Sequence, residues 1–192
     1  KLAEEQIRKR KRRVEDAALT LFKTQGFNGV GLRHIAQEAG VSLGNIYNYY
    51  EGKEELFNSI LERLHSDFIG PDTPLAAYFE TANFPDDMDV LGRVIGRMVD
   101  THADYLTLIY VDLAEFRGRH VRPFYQGLPD RFRVALGDSE SVVAFTVAYM
   151  QFFNYFIVER MIGATGHLGV SGDDAVESIA QILRGGVSKA SQ

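Results

Sequence analysis

Apolar side chains recur along this chain at intervals of three and four, the period that lines one face of an α-helix. Ahead of Gly26 they fall at Val14, Ala17, Ala18, Leu21 and Phe22, which predicts a helix over 4–25. The spacing predicts a second helix over 32–38, with Leu32, Ile35 and Ala36 facing inward, and a third of about two turns over 43–49. Between these two, Gly40 suits the left-handed closure of a helix, and Ser42 can accept a bond from a free amide of the next. Two short helices on a tight glycine turn make a helix-turn-helix. A fourth helix opens at Lys53-Glu54-Glu55, where the carboxylates complement the positive end of the helix dipole. Its inner face is Leu56, Phe57, Ile60, Leu61, Leu64 and Phe68.

Gly70, Pro71 and Pro74 then break the pattern. This predicts a helix-turn-helix domain over 1–52, a connecting fourth helix over 53–69 and a larger helical domain over 70–192. Within the latter, helices are expected over 74–81, 86–101 and 103–116, with an irregular one over 120–135 interrupted by Pro123 and Pro129. Asp138 or Ser139 opens a long apolar helix to Ile162, and Asp173 opens a last one that Gly185-Gly186 should end after Arg184. Alternating strand patterns of useful length are absent. The expected fold is all-α with about nine helices: a three-helix DNA-binding helix-turn-helix domain followed by a larger ligand-binding and dimerisation domain.

Composition narrows the function classes. With 45% hydrophobic and 24% charged residues over 192 positions, the chain can bury a real core. It has no cysteine, so disulfides, thiolate metal sites and a cysteine nucleophile are excluded, and a reducing compartment, the cytoplasm, is expected. No apolar run is expected to reach the roughly 18 residues of a membrane span, so no membrane partner is expected. The net charge of -5 hides a segregation. Residues 1–53 carry 10 Lys and Arg against 6 Asp and Glu, and the remainder 11 against 20. A basic end of this kind, with the cluster Arg8-Lys9-Arg10-Lys11-Arg12-Arg13, suits a polyanion.

The unbroken stretch from Val30 to Leu56, VGLRHIAQEAGVSLGNIYNYYEGKEEL, resembles the signature of the tetracycline-repressor (TetR) family of bacterial transcription regulators, and the resemblance extends over roughly residues 8–68. It implies DNA contacts by Arg33, Ser42, Leu43, Gly44, Asn45, Tyr47, Asn48, Tyr49 and Lys53. Within that set, Tyr47, Lys53 and the basic run before Val14 would meet phosphates, while Asn45, Asn48 and Leu43 would choose sequence. The residue types agree. A helix entering the major groove is slim at its start and offers amides that pair with adenine. Ile46 is the expected inward anchor, with Tyr50 packing beneath. The chain departs from the family pattern at Gly31, Leu43 and Tyr49, which puts the operator sequence beyond prediction.

The resemblance also implies a homodimer through the last two long helices, on a palindromic double-stranded DNA operator. Apolar residues wrap almost all round the segment from Val142 to Met161, so one side suits the subunit core and another a partner. Tyr155, Val158, Ile162, Val176, Ile179, Ala180 and Leu183 are the expected interface. A small, largely apolar effector of the kind such regulators use would meet Met98, His102, Tyr105, Leu106, Ile109, Tyr110, Phe116, Tyr149, Phe152, Phe153 and Phe156. Plain core is the alternative for these aromatic stripes, and solvated surface the better expectation for Asp112, Glu115 and Glu159. No cofactor and no metal site is expected. An enzyme would have to use groups such as His102, Asp112 and Glu115, and no His-Glu-x-x-His or P-loop motif accompanies them. The expected function is therefore a repressor released from its operator by effector, with an architectural or protein-binding DNA-associated factor without effector control as the alternative.

Overall fold

The computed structural model describes residues 2–137, 141–163 and 169–190, with side chains over 4–137, 141–160, 163 and 169–185. Among these residues there are eleven helices and no strand: α1 (Leu2–Gln25), α2 (Leu32–Ala39), α3 (Leu43–Tyr47), α4 (Lys53–Ile69), α5 (Pro74–Thr81), α6 (Met88–Thr101), α7 (Ala103–Phe116), α8 (Arg122–Gln126), α9 (Leu128–Leu136), α10 (Ser141–Ile162) and α11 (Gly172–Ala190). Nine have eight residues or more, and α3 and α8 have five. The all-α expectation holds.

Packing divides the chain into two compact units. Unit 1 joins residues 1–66 to 104–123. Its core is built from Val14, Ala18 and Phe22 of α1, Ile35 of α2, Ile46 of α3 and Leu56, Phe57, Ile60 and Leu61 of α4, all without exposure. Fully burying one such large apolar side chain contributes about 1.5–3 kcal/mol. The turn after α1 needs its glycine. Gly26 has φ +70, and a Cβ there would sit 2.5 Å from the Glu115 carboxylate. That carboxylate accepts the backbone N–H groups of Phe27 (2.8 Å) and Asn28 (2.7 Å), while Phe116 sets its ring on Phe27 and Phe57. These contacts explain why 104–123 folds with the N-terminal helices and not with its neighbours in sequence.

Unit 2 comprises 67–103 and 124–192. In it α6 packs on α5, α10 and α11, and α9 on α10. Gly92 and Gly96 let α6 come close: a Cβ at Gly92 would lie 2.7 Å from both Phe152 and Val176, and one at Gly96 2.8 Å from Phe156. Thr73 caps α5 by accepting from the Ala76 amide, with Pro74 at its first position, the arrangement its missing N–H favours. Helix α10 is long and apolar enough by length and composition to cross a membrane over Ser141–Arg160, which revises the expectation that no such segment exists. Polar positions such as Thr146, Gln151 and Asn154 interrupt the apolar run, yet the helix as a whole remains apolar. It is a core helix of unit 2, burying Val142, Phe145, Ala148, Tyr149, Phe152, Phe153 and Ile157.

Three boundaries differ from expectation. Helix α3 ends at Tyr47, because Asn48 takes the C-cap position and the chain turns to bury Tyr50. The irregular 120–135 segment is two helices parted at Gly127. Gly185-Gly186 does not end α11, which runs to Ala190. A helical glycine costs only about 1 kcal/mol relative to alanine, too little to stop an established helix. The expected start of α10 at Asp138 or Ser139 lies outside the described residues.

Candidate nucleic-acid interface

Helix α3 is placed by contacts at both ends. Gly40 closes α2 in the left-handed region, φ 63 and ψ 40, its N–H reaching the carbonyls of Ala36 and Gln37. The Val41 N–H returns to Ala36 O at 3.0 Å, the pairing that satisfies last-turn carbonyls at a helix end. Arg13 reaches from α1 to donate to Ala39 O at 2.8 Å, so one arginine of the basic cluster serves the turn itself. Ser42 opens α3 by accepting the Asn45 N–H at 3.3 Å.

From this frame α3 buries only Ile46, as expected of the anchor, and Tyr50 is buried behind it. Ser42, Gly44, Tyr47 and Asn48 are exposed, Tyr47 to 55%. Leu43, Asn45 and Tyr49 are half-buried. The Asn45 side-chain amide donates to Ser42 Oγ at 3.0 Å, which commits one of its N–H groups. Arg33 is exposed on α2. The basic cluster extends α1 as a continuous helix, with Arg8, Lys9, Arg10, Arg12 and Arg13 exposed.

Lys53 has a different first duty. Its ammonium donates to Phe27 O and Val30 O, both at 2.7 Å, and lies 4.1 Å from the centre of the Phe27 ring. Burial holds its pKa below the ordinary lysine value, opposed by the charge of Glu115. Two of its three protons thus tie the α1–α2 turn to the start of α4. The same residue type at that position fits a phosphate ligand from sequence, and only the carbonyl acceptors, invisible there, show the structural role.

A buried polar cluster that no periodicity reveals sits behind α3. The Glu15 carboxylate on α1 accepts the Tyr50 hydroxyl at 2.7 Å and the Ser59 hydroxyl at 3.3 Å, and pairs with Arg63 Nε at 3.0 Å. Burial, then Glu15, pushes the Tyr50 phenol well above the ordinary tyrosine range. In the same unit Asp112 is fully buried, against the expectation of a solvated group, because its carboxylate accepts the N–H groups of His120 (3.2 Å) and Val121 (3.1 Å) and bonds His120 Nδ1 at 2.6 Å. Glu115 is likewise occupied by Phe27 and Asn28, and Glu159 of unit 2 is 7% exposed beside Tyr155, whose phenol is pushed up to about 12 by burial and by that carboxylate. Asp112 and Glu115 are therefore spent on backbone amides. No group of three or more metal-ligating side chains occurs among the described residues.

Gly40-Val41-Ser42-Leu43-Gly44 also has the Gly-x-Ser-x-Gly spacing of a hydrolase nucleophile elbow, which requires a strand before the serine. Helix α2 precedes it here, and Ser42 caps α3.

The model of the bacterial regulatory proteins of the tetR family matches residues 15–60, from the end of the basic cluster into α4. Over this stretch the chain is similar to the TetR family. Over 62 residues it is 36% identical to the HTH-type transcriptional regulator YfiR of Bacillus subtilis, covering 32% of this chain and 30% of YfiR. Over 99 residues it is 32% identical to the HTH-type transcriptional repressor SCO4008 of Streptomyces coelicolor, covering 52% and 45% of the two chains. The matches thus span less than half the length of these relatives. A solved TetR-family member from Streptomyces coelicolor A3, SCO1917, superposes with a TM-score of 0.67 over 91% of this chain and 97% of its own at 20% identity, which extends the likeness of fold beyond the helix-turn-helix.

The residues expected to meet an effector divide between the two units. In unit 2, Met98, Tyr149, Phe152 and Phe153 are buried and closely packed, Tyr149 stacking on Phe153 at 5.7 Å. Phe156 lies against Gly96, and His102 Nδ1 meets Met98 O at 2.8 Å. In unit 1, Tyr105, Leu106 and Ile109 are buried, Tyr110 is half-buried, the Tyr105 hydroxyl meets His65 Nδ1 at 2.6 Å, and Phe116 belongs to the aromatic cluster. Most of these side chains are buried, and His102, Tyr110, Phe116 and Phe156 are half-buried. Of the expected interface, Val176 and Ala180 face the interior of unit 2, where α11 packs on α6. Val158 is exposed and Tyr155, Ile179 and Leu183 are half-buried, while Val143, Val147 and Ile182 add exposed apolar surface that sequence periodicity left unassigned. The side chain of Ile162 lies outside the described residues.

Proposed function

We propose that this protein is a sequence-specific DNA-binding transcriptional regulator acting in the cytoplasm as a homodimer, a repressor released from a palindromic operator by a small, largely apolar effector. The observation that carries this is α3, which buries Ile46 alone and offers Ser42, Gly44, Tyr47 and Asn48 to solvent within a match to the TetR family. In this reading residues 1–52 bind DNA, 53–69 connect, and 70–192 bind effector and partner. The exposed valines and Ile182 on α10 and α11 support a partner surface, since an apolar stripe left in water is commonly an interface.

Selection of bound sequences from a random DNA pool, followed by affinity across a salt series, tests the reading. A palindrome with steep salt dependence is expected. Binding without a shared sequence would overturn it. Tyr47→Phe should weaken all selected sites by similar factors, whereas Asn48→Ala should relax one base position, a discrimination of about 1–3 kcal/mol for a bidentate amide. Equal losses on every sequence from Asn48→Ala would refute this division of roles.

A further inference from the structure

We infer that an open groove of unit 2, lined by the end of α4, α5 and α9, is a binding site for a small amphipathic anion, with an aliphatic or aromatic body and a carboxylate head. This deepens the effector-controlled reading above and rests on it. The groove has a volume of about 580 Å³, within the roughly 300–1,000 Å³ of small-molecule sites. Ile69, Pro71, Leu75, Ala76, Phe79 and Val134 make its walls apolar. Phe79 rests on Phe132 and Phe145, so the floor continues into the aromatic core. Val134 is 87% exposed, an apolar side chain that a bound hydrocarbon would cover.

The polar groups at the groove leave one charge over. The Thr73 hydroxyl is occupied twice, donating to Gly70 O at 2.8 Å and accepting from the Ala76 amide. Asp130 is paired with Arg133 at 2.5 Å. Arg131 gives one N–H to Ile69 O at 3.1 Å and forms no ion pair among the described residues. Its remaining N–H groups lie at an exposed lip beside an apolar wall. A guanidinium so placed recognises a carboxylate through paired bonds. A cationic amphiphile would meet it with like charge, and a neutral one would leave it unmatched.

Isothermal titration of the full chain with decanoate, decanol and decylamine tests the site. Decanoate is expected to bind, and decylamine at least about tenfold more weakly. Arg131→Gln should weaken decanoate by about tenfold while leaving decanol unchanged, and Val134→Glu, at an exposed helical position, should abolish decanoate binding with helicity retained. No decanoate binding, equal binding of decylamine, or full decanoate affinity in Val134→Glu overturns the site. Saturating decanoate should also lower affinity for the selected operator by about tenfold, the coupling expected of an effector. Unchanged operator affinity would overturn its regulatory role. The DNA selection is read without decanoate, so failure of the regulator reading and failure of the groove give different results.

Discussion

Glu15→Ala is expected to lower the stability of unit 1 by about 3 kcal/mol, the low end of the cost of removing one partner from a buried ion pair. The substitution leaves the Tyr50 hydroxyl without its carboxylate acceptor and Arg63, whose side chain is 19% exposed, with only Asp16 at 3.5 Å. Asp16 is well exposed, and Arg63 can turn toward it, which is why the low end applies. In a chain of this size that loss corresponds to a fall of roughly 10 °C in unfolding midpoint. Glu15→Gln keeps an acceptor for Tyr50 and should lose about half as much. Replacing Glu15 and Arg63 together by leucine should recover most of the loss, because the buried charges vanish as a pair. Urea unfolding followed by circular dichroism decides the matter. A change below about 1 kcal/mol in Glu15→Ala would show that the cluster contributes nothing net.

The consequence reaches α3. Tyr50 follows α3 directly, its N–H bonds Ile46 O, and its ring is held by the same carboxylate that Arg63 neutralises. The sequence makes Ile46 and Tyr50 legible as inward residues by spacing alone. Glu15 is legible only as one of the acidic residues on α1, since nothing in a helical period distinguishes a buried carboxylate from a solvated one. The same contrast runs through the molecule. Gly40 and Ser42 announce the turn because glycine geometry and hydroxyl capping act within a few residues. The bonds from Glu115 to Phe27 and Asn28 join positions nearly ninety apart, and only folding brings them together. The aromatic stripes of α7 and α10 could line a cavity or fill a core with the same periodicity. On α10, Phe152 and Phe156 lie where a Cβ at Gly92 or Gly96 would meet them, so this part of the stripe packs closely on α6.

Asp112→Ala should be the second severe substitution, with an expected loss of about 3 kcal/mol. The carboxylate is wholly buried, and its removal strands the N–H groups of His120 and Val121 together with His120 Nδ1. Each buried donor left without an acceptor costs about 1–3 kcal/mol. Relief is limited because the chain has already reversed at Arg117 and Gly118, φ 56 and 72, with the Gly118 N–H on Asp112 O, so the loop cannot retreat to solvent without giving up that turn. His120 also carries its Nε2 to Glu54 at 3.2 Å, in the first turn of α4. Loosening the loop therefore releases the start of α4, one residue from Lys53 and its grip on the α1–α2 turn. Asp112→Asn retains one carbonyl acceptor and should cost less than half as much. Amide hydrogen exchange localises the effect: faster exchange at His120 and Val121, with unit 2 amides unchanged, is the expected pattern. Uniform acceleration across both units, or protection unchanged at His120, would refute a local brace built on Asp112.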